Sequence, residues 1–535
     1  MSTATTSLEP SRTGDLGWPL QRAADLYADA PAIVDGERAV TYGQLARRAG
    51  ALGAALDALA LPTGARVGCL GANSLAHVEC TLGVPTFGRV LADLNLRLTP
   101  AELAYMVNDC AIEVLVVDRD RLEVGRALRT DCPSLRELVL DTEGQCPEDC
   151  TPYETLVDRA PVDAPPVAPD ALAAISYTGG TTGAPKGVML SHGNLLANAR
   201  HNLIATGHTR EDCWLHVCPM FHVAGTANLF ACTWVGAKQV VLPRFQADSV
   251  VATIRREEVT HTVLVPTMLA LLLEELEQGA PDDLPSLRHV QYAASPITPD
   301  VQRRVLQRFA CDIAQFYGMT EAAPTVTHLP PEDHRRGQRG DEPFARRLRS
   351  IGVPVVGVQA HVRGPDGAQL GPGEVGELWV QGPNVMLGYW NRPEATQAAL
   401  VGGWYRTGDA ARADDDGYLY LVDRLKDMII TGAENVYSIE VEAALDEHAA
   451  VAEAAVFGIP DPRWGESVHA VVTVSEGAVV TVDELVEHCR ALIAGYKIPR
   501  TIDIRPEALP RSAAGKLLKN TLRDPFWVGH ERRVN

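Results

Sequence analysis

The residue types best suited to chemistry are concentrated in residues 177–187, which read Tyr-Thr-Gly-Gly-Thr-Thr-Gly-Ala-Pro-Lys-Gly. Glycine lets backbone N–H groups turn toward an anion, threonine adds hydroxyl donors, and Lys186 adds a compact positive charge. The stretch is not a Walker A loop, because no Gly precedes the lysine and no Ser or Thr follows it. It predicts a phosphate-binding loop between two strands. The candidate residues are Thr178, Gly179, Gly180, Thr181, Thr182, Gly183 and Lys186.

Two shorter motifs could complete a nucleotide site. In residues 315–321, Tyr317 could stack on a base, Thr320 could donate to a phosphate, and Glu321 could hold a hard cation such as Mg²⁺. Asp409 follows a Gly turn, where a carboxylate can accept hydrogen bonds from both hydroxyls of a ribose. Taken alone, each motif also fits an ordinary turn, so the nucleotide interpretation depends on their occurring together.

Two further candidates are single residues. His222 lies in an apolar stretch, where it is either a buried core histidine or a group beside a substrate, and the small residues ending at Gly225 leave space in front of it. Lys516 follows Gly515, either as a solvated side chain or as a catalytic ammonium. Lysine is rare here, since 48 basic residues include only six lysines, so a retained lysine suggests a need for a compact ammonium. The six are Lys186, Lys238, Lys426, Lys497, Lys516 and Lys519.

The elements that position these residues follow an α/β rhythm. Capping boxes begin helices at Thr41 and Thr99, and buried strands are predicted at residues 65–70 and 112–117. Further strand patterns recur at residues 172–177, 239–242 and 262–265, and Thr298 caps another helix. Alternating helices and strands predict a layered α/β domain.

The pattern of predicted secondary structure changes in the last third of the chain. Short strands with Gly turns, at residues 353–362, 373–381 and 418–422, predict a β subdomain over about 351–423. A compact α+β tail over 424–535 follows, with helices predicted near 439–448 and after the Thr481 capping box, and strands near 454–458 and 468–474. The predicted fold class is therefore α/β, with a large N-terminal domain over 1–423 and a small α+β C-terminal domain.

Composition narrows the function classes. The 535 residues carry 48 basic and 68 acidic side chains, a net charge of −20, which is unfavourable for binding nucleic acid. No run of 18 apolar residues predicts a transmembrane helix, and the first ten residues lack the pattern of a signal peptide. Eleven scattered cysteines fit reduced thiols rather than a metal site or disulfides. We expect a cytoplasmic protein.

Together, the order and the residues of these segments resemble those of the adenylate-forming (ANL) superfamily of acyl-CoA synthetases, adenylation domains and luciferases. The resemblance runs from about Tyr42 to the end of the chain and is carried by residues 177–187, 317–321, 405–409, 424–442 and 510–516. Ala433 departs from the usual Gly-Gly pair, and residues 293–296, Ala-Ala-Ser-Pro, stand where Gly-Gly-Ala-Pro is common.

The resemblance implies roles for individual residues. The loop over 178–186 would hold pyrophosphate, Glu321 would hold Mg²⁺, Lys516 would be the adenylation lysine, and His222 would lie beside the carboxylate of the acid. The C-terminal domain would be mobile, with its hinge at 424–427. The nucleotide would contact Ala294, Ser295, Phe316, Tyr317, Gly318, Thr320, Asp409 and Arg424; the hinge would include Lys426; and CoA would lie near Gly432, Asn435, Trp464 and Tyr496.

The implied function is an ATP- and Mg²⁺-dependent carboxylic acid:CoA ligase, which forms an acyl-adenylate and then an acyl-CoA thioester. Amino-acid-activating relatives carry an Asp after the Phe at this point, and His222 stands there instead. The stretch 225–236 is mostly apolar, so we expect a fatty acid as the substrate.

Several alternatives remain open. An aryl acid of the benzoate or cinnamate type could replace the fatty acid. An acyl-AMP ligase could load a carrier protein instead of free CoA, although we expect free CoA because no carrier domain follows. The presence of Lys516, Glu321 and Lys186 argues against a non-catalytic nucleotide-binding regulator. The motifs do not exclude luciferase-type oxygen chemistry or a homodimer.

Overall fold

The structure is a computed structural model. It describes residues 14–142, 144–178, 185–278, 284–295, 297–424, 427–431, 434–475, 477–511 and 517–528. The chain divides into two compact units. The first comprises Met1–Ala345, Pro354–Gln359 and Gln381–Gly403, and the second comprises Arg346–Val353, Ala360–Val380 and Trp404–Asn535.

Helices and strands alternate along most of the chain. The strands are β1 (Pro31–Asp35), β2 (Arg38–Thr41), β3 (Arg66–Leu70), β4 (Val90–Asp93), β5 (Ile112–Asp118), β6 (Glu137–Asp141), β7 (Thr151–Pro152), β8 (Leu172–Thr178), β9 (Lys186–Ser191), β10 (Cys213–His216), β11 (Lys238–Val241), β12 (His261–Leu264), β13 (His289–Tyr292), β14 (Asp312–Gly318), β15 (Thr325–Leu329), β16 (Val353–Pro354), β17 (Gln359–Arg363), β18 (Gly376–Gln381), β19 (Gly388–Tyr389), β20 (Leu400–Val401), β21 (Trp404–Ala413), β22 (Leu419–Arg424), β23 (Ile429–Thr431), β24 (Glu434–Val436), β25 (Val451–Asp461), β26 (Gly465–Val474) and β27 (Thr501–Arg505). The α-helices are α1 (Gly17–Tyr27), α2 (Tyr42–Ala58), α3 (Leu75–Thr86), α4 (Pro100–Asp109), α5 (Leu122–Asp131), α6 (Tyr153–Val157), α7 (His192–Thr206), α8 (Val223–Thr226), α9 (Leu229–Val235), α10 (Ala247–Glu257), α11 (Pro266–Gln278), α12 (Pro299–Arg308), α13 (Pro331–Gln338), α14 (Phe344–Arg347), α15 (Pro393–Ala399), α16 (Ser438–Asp446), α17 (Val482–Leu492) and α18 (Lys519–Arg523).

Two sheets organise the first unit. In one, strands lie in the order β15-β14-β13-β12-β10-β11-β1-β2, parallel except for the β14–β15 and β1–β2 pairs. In the other, the order is β19-β9-β8-β4-β3-β5-β6-β7, where β9 pairs antiparallel with both β8 and β19. Ligands of parallel sheets bind beyond the carboxyl ends of the strands, so the segments after β13 and β14 belong to a functional edge.

The second unit contains two smaller sheets. Strands β17, β18, β21 and β22 belong to the first, a five-stranded sheet. Strands β23 to β27 form the second, in the order β24-β23-β26-β25 with β27 beside β26. Helix α16 packs beside β25, and Val441, Leu445 and Leu485 contribute to the core of this region.

The predicted α/β fold class is confirmed. Capping boxes occur at Thr41, Thr99 and Thr481, where each hydroxyl accepts a hydrogen bond from the N3 backbone and the N3 side chain reciprocates. The single strand predicted at 353–362 is wrong, because β16 ends at Pro354 and β17 begins at Gln359. The domain boundary at 423/424 stays a prediction. No described helix combines the length and apolar character that crossing a bilayer requires.

Candidate nucleotide and acyl site

The predicted phosphate loop is framed by the β8–β9 hairpin. Thr178 at the end of β8 lies opposite Lys186 at the start of β9, and Tyr177 lies opposite Gly187. The Tyr177 hydroxyl donates to Asp109 Oδ2 at 2.7 Å. Burial and the nearby Cys110 and Asp109 raise the pKa of Tyr177, so its hydroxyl stays protonated and keeps this hydrogen bond. Both ends of the loop therefore start from a paired, anchored hairpin.

Lys186 and Glu321 both contact Tyr389, a residue that the sequence motifs did not indicate. The Tyr389 hydroxyl donates to Glu321 Oε1 at 3.0 Å, and Lys186 Nζ lies 5.0 Å from the centre of the Tyr389 ring. The backbone supports the same arrangement, because Met386 N donates to the Glu321 carbonyl at 2.9 Å and Trp390 N donates to a β9 carbonyl at 2.7 Å. Segment 386–390 thus joins the base of the loop to the predicted metal residue.

The turn after β14 needs a glycine at position 318. A Cβ there would lie 1.7 Å from the Pro324 carbonyl oxygen, so an Ala would force the backbone apart. Phe316 and Tyr317 are consecutive in β14 and therefore point to opposite faces. The Phe316 ring is buried and stacks on His328, with ring centres 4.8 Å apart. Tyr317 is half-buried on the other face.

Ala294 and Ser295 follow β13 at the same sheet edge. Strands β13 and β14 are parallel neighbours, with Tyr292 opposite Gln315, so the segments after them emerge side by side. Ala294 has a φ of 75°, which L-residues rarely adopt. A left-handed backbone explains why glycine is common at this position in the family that the chain resembles. This chain adopts the same backbone conformation with an alanine.

His222 lies at the start of a tight turn. Its N–H donates to the Pro219 carbonyl at 3.1 Å, its carbonyl accepts from Gly225 N at 2.8 Å, and its ring lies 4.6 Å from that of Phe221. The prediction that Gly225 leaves room for an acyl group is wrong, since a Cβ there would lie 2.2 Å from the Pro219 carbonyl oxygen. Phe230 is likewise buried in the hydrophobic core.

Asp409 is presented by a glycine turn in the second unit. Gly408 has a φ of 71°, and the Asp409 N–H donates to Thr407 Oγ1 at 3.0 Å. Asp409 is buried, and its position in β21 pairs with position 424 of β22. The two residues predicted to hold ribose and to close the nucleotide site therefore occupy paired backbone positions.

Two of the predicted CoA residues, Trp464 and Tyr496, lie beside cationic side chains. Trp464 has the guanidinium groups of Arg463 and Arg500 at 4.7 and 4.9 Å from its ring centre. Tyr496 is exposed, and Lys497 Nζ lies 5.7 Å from its ring centre. Aromatic faces with adjacent cations suit an adenine ring and phosphates.

Some predicted residues lie outside the described part of the chain. These are Gly179, Gly180, Thr181, Thr182, Gly183, Lys426, Gly432 and Lys516, and the side chains of Arg424 and Asn435. Their roles stay predictions, as do those of the described site residues.

The chain has an α/β fold, and the segments after β13 and β14 carry predicted nucleotide-contacting residues at the carboxyl edge of one sheet. Residues 20–390 match the model of the AMP-binding enzyme family, and residues 440–516 match its C-terminal domain. The chain belongs to the AMP-binding enzyme family, within the adenylate-forming (ANL) superfamily. It is an AMP-forming acid–thiol ligase that uses ATP, Mg²⁺ and coenzyme A.

Three similar proteins illustrate the family. A feruloyl-CoA synthase of Amycolatopsis sp is 36% identical, with 95% of this chain and 98% of that protein aligned. The fatty acid–[acyl-carrier-protein] ligase ScoC of Streptomyces coeruleorubidus is 36% identical, covering 94% and 95%. The solved o-succinylbenzoate CoA synthetase of Bacillus subtilis, in complex with its acyl-adenylate intermediate, is 30% identical, covering 95% and 98%, with a TM-score of 0.81.

Proposed function

We propose that this chain joins an apolar carboxylic acid to coenzyme A through an acyl-adenylate. The observation that carries the proposal is the contact of Tyr389 with both Lys186 and Glu321. Lys186 and Glu321 thus share one contact residue, at the base of a loop rich in Gly and Thr, and we propose that the first binds phosphate and the second Mg²⁺. Such a pair suits a reaction in which pyrophosphate must be held and released.

The first step joins two anions. A carboxylate oxygen attacks the α-phosphorus of ATP, and the bond from that phosphorus to the bridging oxygen breaks to release pyrophosphate. The approach costs several kcal/mol in a partly dry site, and in this proposal the charge of Lys516 would offset that cost. Glu321 offers the hard carboxylate oxygen that Mg²⁺ prefers, already oriented by Tyr389, and a bound Mg²⁺ would neutralise phosphate charge.

The second step transfers the acyl group. The thiolate sulfur of CoA attacks the acyl carbon, the bond to the phosphate oxygen breaks, and AMP leaves. We propose that the C-terminal domain, over 424–535, turns about the hinge at 424–427 between the steps. It would present Lys516 first and the segment around Gly432 and Asn435 second.

For the acid, we propose a fatty acid. His222 stands where amino-acid-activating enzymes carry an Asp, and relatives include a medium/long-chain-fatty-acid–CoA ligase of Mycobacterium tuberculosis. An aryl acid is the second candidate, supported by relatives named feruloyl-CoA synthase and indoleacetate–CoA ligase. Pyrophosphate release over equal concentrations of alkanoic and cinnamic acids separates the two.

Product analysis with free CoA against a carrier protein tests the thiol, since ScoC is named for a carrier. The cytoplasmic location and a homodimer stay predictions.

Lys186→Ala is expected to raise the KM for ATP and lower kcat by a combined ~10²-fold, because the lysine contacts phosphate in the ground state and the transition state. Acid preference is expected to stay the same, since the acyl chain lies elsewhere. The measurement is pyrophosphate release as a function of ATP for a panel of acids. A change in the order of preferred acids would contradict the placement of Lys186.

His222→Ala is expected to shift acid preference toward bulkier acids, because removing the imidazole opens space beside the carboxylate. Contacts of this size change kcat/KM by roughly 10- to 200-fold, corresponding to about 1–3 kcal/mol. The measurement is kcat/KM across a series of acids, with the KM for ATP as an internal control. A uniform fall over all acids would show that His222 supports the turn at Pro219 rather than the pocket.

A further inference from the structure

The short helix α18 carries two basic residues one turn apart, Lys519 and Arg523. Lys519 Nζ lies 2.7 Å from Glu442 Oε1 and donates to Ser438 Oγ at 2.6 Å. The side chains of Lys519 and Glu442 are only 13% and 15% exposed. Burial opposes the charge on Lys519, but Glu442 and Asp423 outweigh it and raise the pKa of the ammonium. Lys519 is therefore a buried cation at neutral pH.

The same network reaches the chain just before the predicted hinge. Both the backbone N–H and the hydroxyl of Ser438 donate to the buried carboxylate of Asp423, the hydroxyl at 3.1 Å. Ser438 thus lies between Asp423 and Lys519 and hydrogen bonds to both. The buried ammonium is connected through one hydroxyl to the last residue before 424.

Arg523 contacts the last residue of the predicted hinge, Asp427. Its Nη1 lies 3.3 Å from Asp427 Oδ1, and the two side chains are 10% and 13% exposed. The two ends of α18 therefore contact the residue just before the hinge, through Ser438, and the last residue of the hinge, directly. In sequence, Lys519 follows the predicted adenylation lysine, Lys516, by three positions.

Buried ion pairs of this kind rarely add net stability, because the desolvation of both charges offsets their attraction. An apolar pair of similar volume would do as well for packing. What the charged pair adds is one defined geometry, since each ammonium or guanidinium hydrogen bond must be satisfied by a particular partner.

Resting on the proposed function, we propose that Lys519 and Arg523 are positioning residues for the adenylation step. They fix the segment that follows Lys516 against the two ends of the hinge region, through Ser438 to Asp423 just before it and directly to Asp427 at its end. Neither residue contacts substrate in this proposal. Thioester formation, which does not use Lys516, does not depend on them.

The test compares two half-reactions of Lys519→Met in the full chain. Pyrophosphate release from acid and ATP is expected to fall by ~10²-fold, the effect of misplacing a catalytic group. Thioester formation from supplied acyl-adenylate and CoA is expected to stay near the wild-type rate. Lys519→Arg is expected to recover part of the loss. The matched control is Arg490→Met, which breaks the exposed Arg490–Glu487 pair of the same unit and is expected to change neither rate.

A double variant, Lys519→Met with Glu442→Leu, separates positioning from stability. Removing both charges is expected to restore the melting temperature, whereas adenylation stays low because Ser438 has lost its donor. Recovery of adenylation together with the melting temperature would overturn the inference, and so would equal loss of both half-reactions in Lys519→Met. A wild-type chain that releases no pyrophosphate with any acid would overturn the proposed function itself, and this inference with it.

Discussion

Lys516→Ala is expected to abolish acyl-adenylate formation while leaving thioester formation from supplied acyl-adenylate largely intact. The ammonium is needed only while the carboxylate and the α-phosphate approach each other, and a positioned charge of this kind is typically worth ~10²–10³ in rate. Pyrophosphate release measures the first half-reaction, and acyl-CoA formation from synthetic acyl-adenylate measures the second.

The matched control is Lys238→Ala. This is another of the six lysines, and its Nζ pairs with Glu257 Oε2 at 2.8 Å in the first unit. It is expected to leave both half-reactions unchanged. Equal loss of both in Lys516→Ala would exclude a C-terminal domain that serves the two steps in different positions.

Local sequence rules predicted the elements whose signals are local. The capping boxes at Thr41 and Thr481 each need only four consecutive residues, and both begin helices as expected. Helix α3 was not predicted, because all twelve of its residues are buried and no polar face marks a helical period. Burial on every side removes the pattern on which sequence analysis depends.

The candidate site was also only partly predictable from local sequence. Glu321 and Lys186 could be chosen by residue type, but the contact that joins them runs through Tyr389, which lies 68 positions beyond Glu321. Only the pairing of β19 with β9 brings Tyr389 to that place. The tripeptide Gly388–Tyr389–Trp390 was the only sequence feature near this residue that could have indicated a site, and three residues are too few to predict one.

The acyl pocket predicted after His222 was less accurate, because apolar sequence does not reveal how the backbone packs. Apolar residues after His222 suit a substrate pocket and a protein core equally, and composition does not distinguish them. The backbone decides, since Gly225 packs against the Pro219 carbonyl and Phe230 enters the core.

Glu321→Gln is expected to lower pyrophosphate release by ~10²-fold and to raise the Mg²⁺ concentration needed for half-maximal rate, because an amide oxygen lacks the charge that holds a hard cation. Tyr389→Phe keeps the carboxylate and removes only its hydrogen bond of 3.0 Å, so we expect a loss of ~10-fold, with a smaller shift in the Mg²⁺ requirement. The measurement is pyrophosphate release over a Mg²⁺ titration at saturating ATP.

The control for charge alone is Glu394→Gln, which neutralises an exposed carboxylate in the first turn of α15 of the same unit and is expected to leave the titration unchanged. The order of the three effects on the Mg²⁺ requirement distinguishes binding of the cation from orientation of its ligand. If Glu321 holds the cation and Tyr389 orients it, the Mg²⁺ requirement rises most for Glu321→Gln, less for Tyr389→Phe and not at all for Glu394→Gln. A loss in Glu321→Gln that no Mg²⁺ concentration alters, with an unchanged half-maximal point, would instead make Glu321 a support for the 386–390 segment.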